Sequence, residues 1–143
     1  MEHPAAPGDQ KRDISAMLRL AGLRRTRQRM ALAALLFPVR DRHVSAEELH
    51  AEALAHHLDI SLATVYNTLN QCVRAGLLRE IPLGGQKSYF DTNVSDHCHF
   101  YIENEGRLMD MPADFAGVSA IATPPAGYDI LHVDVIARIA TKA

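Results

Sequence analysis

The stretch Ser61-Leu-Ala-Thr-Val-Tyr-Asn-Thr-Leu-Asn-Gln-Cys-Val-Arg-Ala-Gly76 reads as one helix with both ends marked. Ser61 offers an N-cap hydroxyl, and Gly76 suits the left-handed turn that closes many helices. Leu62, Val65, Leu69 and Val73 recur at helical spacing and form an apolar face. The other face carries Ser61, Thr64, Asn67, Thr68, Gln71 and Arg74, with Tyr66 at its flank. Hydroxyls and amides bond phosphates or base edges, and an aromatic ring can meet a thymine methyl. A polar helix face is by itself usually only solvated, so its neighbours decide what it does.

Those neighbours build a DNA-reading module. Upstream, Ser45 and Glu48 form a capping box that opens a helix running towards His57. Asp59-Ile60 is a short turn joining it to the Ser61 helix, the tight connection of a helix-turn-helix. Further upstream, Ile14, Met17, Leu18 and Ala21 mark a first helix stopped by Gly22. Thr26 caps a second, Arg27 to Phe37, which Pro38 ends. Residues 39–44, including His43, read as a connection. Downstream, residues 77–83 and 86–91 are extended and flank the turn signal Gly84-Gly85. Helices followed by a two-stranded hairpin give the order of a winged helix-turn-helix.

Charge is divided along the chain. Residues 1–90 hold 12 Lys/Arg and 9 Asp/Glu, net +3, whereas residues 91–143 hold 3 and 8, net −5. The basic half suits phosphate, and Arg24, Arg25, Arg27 and Arg29 concentrate its charge. Residues 1–12 read as a flexible tail, 13–91 as the winged helix, 92–96 as a polar linker and 97–143 as a second domain. In that last part His97 to Ile102 is strand-like, Asn104-Glu105-Gly106 is a turn, and Arg107 to Met111 can pair back. Residues 112–121 are weakly helical, the segment around Pro124-Pro125 is a loop, and residues 128–139 alternate as a strand. About fifty residues bury too little apolar surface to stand alone comfortably, so dimerisation is expected. The fold class is α+β: an N-terminal winged helix-turn-helix plus a small C-terminal α/β dimerisation domain. Two cysteines, Cys72 and Cys98, make no disulfide framework, no apolar run approaches a membrane span, and a cytoplasmic protein is expected.

Asp91 to His99 packs two acids, two histidines and one cysteine into nine residues. On a strand, His97 and His99 project from one face, a chelating arrangement. If Glu103 to Gly106 form a four-residue turn, Ile102 pairs with Arg107 and His99 falls opposite Asp110. Opposed residues lie roughly 5 Å apart at Cβ, close enough to share an ion. Cys98, Phe100 and Ile102 then point to the other face. Cys98 packs there as a small apolar group or is an oxidation-sensitive thiol. Cys72 reads as structural, His56-His57 as a solvated helix end, and His132 as a strand residue.

Ser61 to Gln71, Gly22-Leu-Arg-Arg-Thr-Arg-Gln-Arg29 and His43-Val-Ser-Ala-Glu-Glu48 resemble the ferric uptake regulator family, over about residues 13 to 140. The resemblance implies a homodimer on AT-rich palindromic double-stranded DNA, with Tyr66 and Asn67 on bases and Arg24 approaching the minor groove. Arg25, Arg27, Ser61 and Thr64 complete the expected DNA contacts. It also adds His43 and Asp91 to His97, His99 and Asp110 as ligands of one regulatory ion. A set of N and O donors without thiolate suits Fe²⁺ or Mn²⁺, with Zn²⁺ able to bind in vitro. Thr64 to Gln71, Lys87 to Val94 and Phe100 to Asn104 are most similar to the iron response regulator branch. That branch implies haem as effector, with His97, Cys98 and His99 as haem candidates.

The chain departs from the family pattern in three places. Ile102 and Glu105 stand where many members begin paired Cys-x-x-Cys motifs, so no structural four-cysteine zinc is expected. No Cys-Pro dipeptide occurs, and Cys98 interrupts what is elsewhere a run of histidines. The expected function is therefore a DNA-binding regulator of iron and haem homeostasis. The alternative is a peroxide-sensing or metal-activated repressor. A remoter one is a small non-haem iron enzyme on a two-His-one-carboxylate triad, for which five protein ligands leave little room for substrate.

Overall fold

The computed structural model describes residues 13–38, 41–84, 87–112 and 123–143. The expected tail 1–12, the weak helix expected over residues 112–121 (beyond Pro112) and part of the Gly84-Gly85 turn lie outside them. The chain divides into two compact units, residues 1–94 and 95–143.

In the first unit, α1 (Ile14–Leu20), α2 (Arg27–Leu36), α3 (Ala46–Ala55) and α4 (Leu62–Arg74) accompany three short strands, β1 (His43–Ser45), β2 (Arg79–Ile81) and β3 (Tyr89–Asp91). Local chemistry sets the helix ends. The side chains of Asp13, Thr26, Ser45 and Ser61 each accept a backbone N–H from the residue three positions on. Ser45 and Glu48 complete the reciprocal capping box. At the other ends of α1 and α4, Gly22 and Gly76 take φ of +76° and +78°. The next residues close back, Leu23 N to Leu18 O and Leu77 N to Cys72 O, each 2.9 Å. Helix α3 makes the same closure with His57 at φ +57°, a conformation that costs a side-chain-bearing residue about 1 kcal/mol.

The helices pack through Leu18, Leu32, Leu36, Leu49, Val65 and Leu69, all at most 1% exposed. Each such burial is worth roughly 1.5–3 kcal/mol. The sheet order is β1-β3-β2, both pairings antiparallel. Strand β3 is therefore central, and Tyr89, Phe90 and Asp91 are all buried. Sequence placed His43 in a connection; the structure makes it the first residue of β1, opposite Asp91. Three residues are too few to show a strand period, and the partner strand is far along the chain. One further rung joins Arg42 and Thr92. Arg42 also bonds Glu52 and donates to Leu35 O, so β1 is tied to α2 and α3.

The second unit holds β4 (His99–Ile102), β5 (Arg107–Asp110) and β6 (Ile136–Ile139) in the order β5-β4-β6. Strands β4 and β5 are antiparallel, pairing Ile102 with Arg107 and His99 with Asp110, the register a four-residue turn dictates. Strand β6 runs parallel to β4. The strand expected over residues 128–139 is shorter than the alternation suggests, the ladder with β4 running over residues 136–139. Few side chains are buried here, chiefly Cys98, His99, Ile102 and Leu108, while Tyr128 and Leu131 are 71% and 82% exposed. No helix among the described residues is long and apolar enough to cross a membrane.

Candidate nucleic-acid interface and metal centre

Helix α4 buries Val65, Thr68, Leu69 and Cys72. Its buried arc is rotated by roughly 50° from the one centred on Leu62 to Val73, half of one residue step. Thr68, expected on the polar face, is therefore 6% exposed and part of the packing, while Leu62 is 37% exposed. Ser61, Tyr66 and Asn67 are exposed and Thr64 half-buried; Arg24, Arg25 and Arg27 are exposed as well. Gln71 is committed internally, since Arg29 donates to its Oε1 and, at 2.5 Å, to the carbonyl of Arg24. One half-buried guanidinium thus ties the backbone of the basic segment to α4.

Tyr66 has a partner that its sequence context does not announce. Its hydroxyl donates to Glu47 Oε1 at 2.6 Å, from a residue nineteen positions away at the start of α3. That bond is the main cause holding the Glu47 carboxyl below its usual range and pushing the Tyr66 phenol above its own. Burial pushes the Cys72 thiol up to about 11, against the opposing charge of Arg29.

The five expected metal ligands fall into two sets. In the first unit, His43 Nε2 lies 3.1 Å from Asp91 Oδ2, and Asp91 is fully buried. The other Asp91 oxygen, Oδ1, accepts the backbone N–H of Asn93 at 2.8 Å. Arg79, itself buried, occupies the ladder position across Asp91 on the opposite side from His43.

In the second unit, His97 Nε2 and His99 Nε2 both converge on Asp110 Oδ1, at 3.1 and 3.3 Å. The two rings lie 4.3 Å apart, centroid to centroid. His97 Nδ1 is 2.7 Å from the carbonyl oxygen of Ser95. A carbonyl only accepts, so Nδ1 must carry the proton. In the neutral ring, Nε2 then presents a lone pair to a carboxylate oxygen that also only accepts. Two acceptors at that distance repel unless a cation or proton lies between them. The donor set thus fits a divalent ion on its own chemistry, and the Ser95 carbonyl would then orient His97 as groups behind a ligating histidine do.

Cys98 is 6% exposed and its thiol is free; it lies in sequence between two histidines whose rings meet. Of the haem candidates, His99 is 2% exposed and His97 is the more open. His132 precedes β6 and is not a strand residue; it is a mostly exposed group 4.0 Å from Asp96. His56 and His57 are exposed at the end of α3.

Known proteins place this arrangement. The ferric uptake regulator family profile matches residues 20–135. The peroxide-responsive repressor PerR of Staphylococcus aureus is 30% identical over 118 residues, 82% of this chain and 79% of that protein. PerR of Staphylococcus epidermidis is 31% identical over 82% of this chain and 78% of its own length. Among solved structures, the ferric uptake regulator of Pseudomonas aeruginosa with manganese superposes with a TM-score of 0.71 at 25% identity, covering 92% of this chain and 100% of that one. The Vibrio cholerae regulator gives the same score and identity over 90% and 100%. The chain belongs to the ferric uptake regulator family, whose members are metal-responsive transcription regulators that bind DNA as dimers and are not enzymes.

Proposed function

We propose that the chain is a homodimeric regulator of iron homeostasis in which His43, Asp91, His97, His99 and Asp110 together hold one Fe²⁺ or Mn²⁺. The convergence of two imidazole nitrogens on the single oxygen Asp110 Oδ1, with His97 locked in the ligand-ready tautomer, carries this reading. Asp91 and His97 are joined by five residues, which span at most about 20 Å when extended. So short a tether gives either ligand set an effective concentration in the millimolar range at the other. Two carboxylates offset the charge of a divalent ion, and nitrogen and oxygen donors suit Fe²⁺ and Mn²⁺ and admit Zn²⁺. Bound there, the ion supplies a positive charge shared by ligands of both units. Occupancy then favours one arrangement of reading module and dimerisation unit, and half-site spacing follows.

On the DNA side, Arg24, Arg25 and Arg27 meet phosphate and the narrow minor groove of AT-rich sequence. Tyr66 and Asn67 meet base edges, with Ser61 and Thr64 on the backbone. The solvent-facing apolar residues of the second unit are where a second copy gains most by burial.

Two finer versions differ in effector. The similarity to PerR supports peroxide as the signal that ends DNA binding. The resemblance to the iron response regulator branch supports haem, bound near His97, as the signal instead. Fluorescence anisotropy decides among them, using a duplex enriched from a randomised pool by the Mn²⁺-loaded protein. Metal sensing requires the metal-free protein to bind at least tenfold more weakly, with Mn²⁺ restoring it. Peroxide sensing requires loss of binding by the Fe²⁺-loaded form after peroxide, with the Mn²⁺ form spared. Haem sensing requires release on haem addition at one equivalent. Equal binding by metal-free and metal-loaded protein, unaffected by haem, defeats all three.

A further inference from the structure

The bond from Tyr66 to Glu47 fixes which way Tyr66 can bond anything else. A phenol has one proton and two lone pairs. Here the proton is given to Glu47 Oε1 at 2.6 Å, a short distance typical of a charge-assisted bond. The carboxylate cannot return a donor, since it is held ionised by that bond and by the positive charge of Lys87. Its second oxygen, Oε2, is buried and faces no outside ligand. What remains outward on the exposed Tyr66 side chain is lone pairs alone.

Resting on the assignment above of Tyr66 as a base contact, we propose that Glu47 is a specificity-determining positioning residue. It makes the Tyr66 hydroxyl an acceptor only, so Tyr66 selects a base bearing an exocyclic amine in the major groove. Adenine N6 and cytosine N4 are the two donors displayed there, whereas guanine O6 and thymine O4 are acceptors. A tyrosine free to rotate its hydroxyl would accept from the first pair and donate to the second, and so would discriminate little. A Tyr66 with its proton committed rejects the acceptor bases, because two facing acceptors leave both unpaired. Glu47 touches no DNA in this scheme; it acts through the tyrosine.

Full-length, Mn²⁺-loaded wild type, Glu47→Gln and Tyr66→Phe proteins are each used to enrich duplexes from a randomised pool. The enriched wild-type duplex is then scanned base by base. Where the preferred base is adenine, it is replaced by purine, which lacks the N6 amine. We expect one position per half-site at which Tyr66→Phe and the loss of the amine each weaken wild-type binding about three- to tenfold. At that position Glu47→Gln should accept amine and carbonyl bases within twofold of each other, because its amide can donate to Tyr66 and release the hydroxyl proton outward. Other positions keep their preferences, which also shows that the variant is folded; Glu47→Ala, expected to relax the same position, serves as the second variant. If Tyr66→Phe changes neither affinity nor preference anywhere, the Tyr66 hydroxyl reads no base and the proposal falls, whether or not the ring still meets DNA. If Tyr66→Phe alters one position while both Glu47 variants keep the wild-type amine preference there, Tyr66 stands as a reader and the role of Glu47 is overturned.

Discussion

Replacing Asp110 by Asn separates a waiting metal site from an ordinary ion pair. Asp110 Oδ1 is the one atom on which both His97 Nε2 and His99 Nε2 converge, so its loss removes a ligand and the brace of two others. Changing a group that merely supports a ligand costs 10–100-fold in affinity, and a ligand costs at least the upper end of that range. At Mn²⁺ one hundred times the dissociation constant, the wild type gains about 2.7 kcal/mol of stability. With affinity a hundredfold lower at the same concentration, the gain falls to about 0.4 kcal/mol. For a chain of this size those values correspond to a rise in Tm of roughly 8 °C and about 1 °C. The metal-free arm has the opposite sign. Where no proton bridges His97 Nε2 and Asp110, an Asn amide can donate to the nitrogen that the carboxylate repels, so metal-free Asp110→Asn should then melt within about 1 °C of wild type or above it. Calorimetric melts of both proteins with EDTA and with Mn²⁺ give all four values. Metal-free Asp110→Asn destabilised by about 2 kcal/mol or more would show an imidazolium–carboxylate ion pair instead, and the lone-pair argument would be refuted.

Other outcomes follow from the same geometry. Ser45→Ala removes the side-chain half of the capping box at a fully buried position, leaving the backbone N–H of residue 45 on the Glu48 carboxylate, and should lower stability by about 1 kcal/mol in urea unfolding. His57→Gly relieves the left-handed strain at the end of α3 and should raise Tm slightly, by about 0.5–1 kcal/mol in stability. Asn67→Ala should weaken the enriched duplex by about 1–3 kcal/mol and relax one base position, whereas Arg24→Ala should reduce the salt slope by about one and weaken AT-rich duplexes more than GC-rich ones. The Cys72 thiol, pushed up to about 11 by burial, is neutral in the folded protein at pH 8, so iodoacetamide should label it only at the rate of unfolding.

The parts of the fold written in short-range chemistry were legible in the sequence. Thr26, Ser45 and Ser61 cap their helices because each can reach a backbone N–H three residues on, and Gly22 and Gly76 stop theirs. The β4–β5 register is equally local, and it placed His99 opposite Asp110. What escaped depended on distant partners. Strand β1 exists only because β3 comes alongside it, and β6 is cut short where its partner ends. The inward turn of Thr68 reflects how α4 packs, which its own period defines only to about half a residue step. In the site, the histidines and acids stood out by type and spacing, but the Ser95 carbonyl that sets the His97 tautomer is a backbone atom with no residue signature. Glu47 looked like an ordinary first-turn acid, and nothing nearby in sequence points to Tyr66.

The pairing of His43 with Asp91 has a kinetic consequence. The segment between them contains α3, α4, β2 and the hairpin, so this rung can close only after the chain has been drawn into a long loop. Closing a loop of that length costs about 3 kcal/mol beyond a constant, and pairings of this kind form late in folding. A half-folded chain therefore offers an ion at most His97, His99 and Asp110 of the local β4–β5 hairpin, and the full set only once this rung has closed. Contacts absent from the folding transition state slow unfolding without speeding folding. Metal bound at this rung should thus lengthen the lifetime of the reading module itself, so that protease resistance of residues 13–91 reports metal supply as directly as DNA binding does.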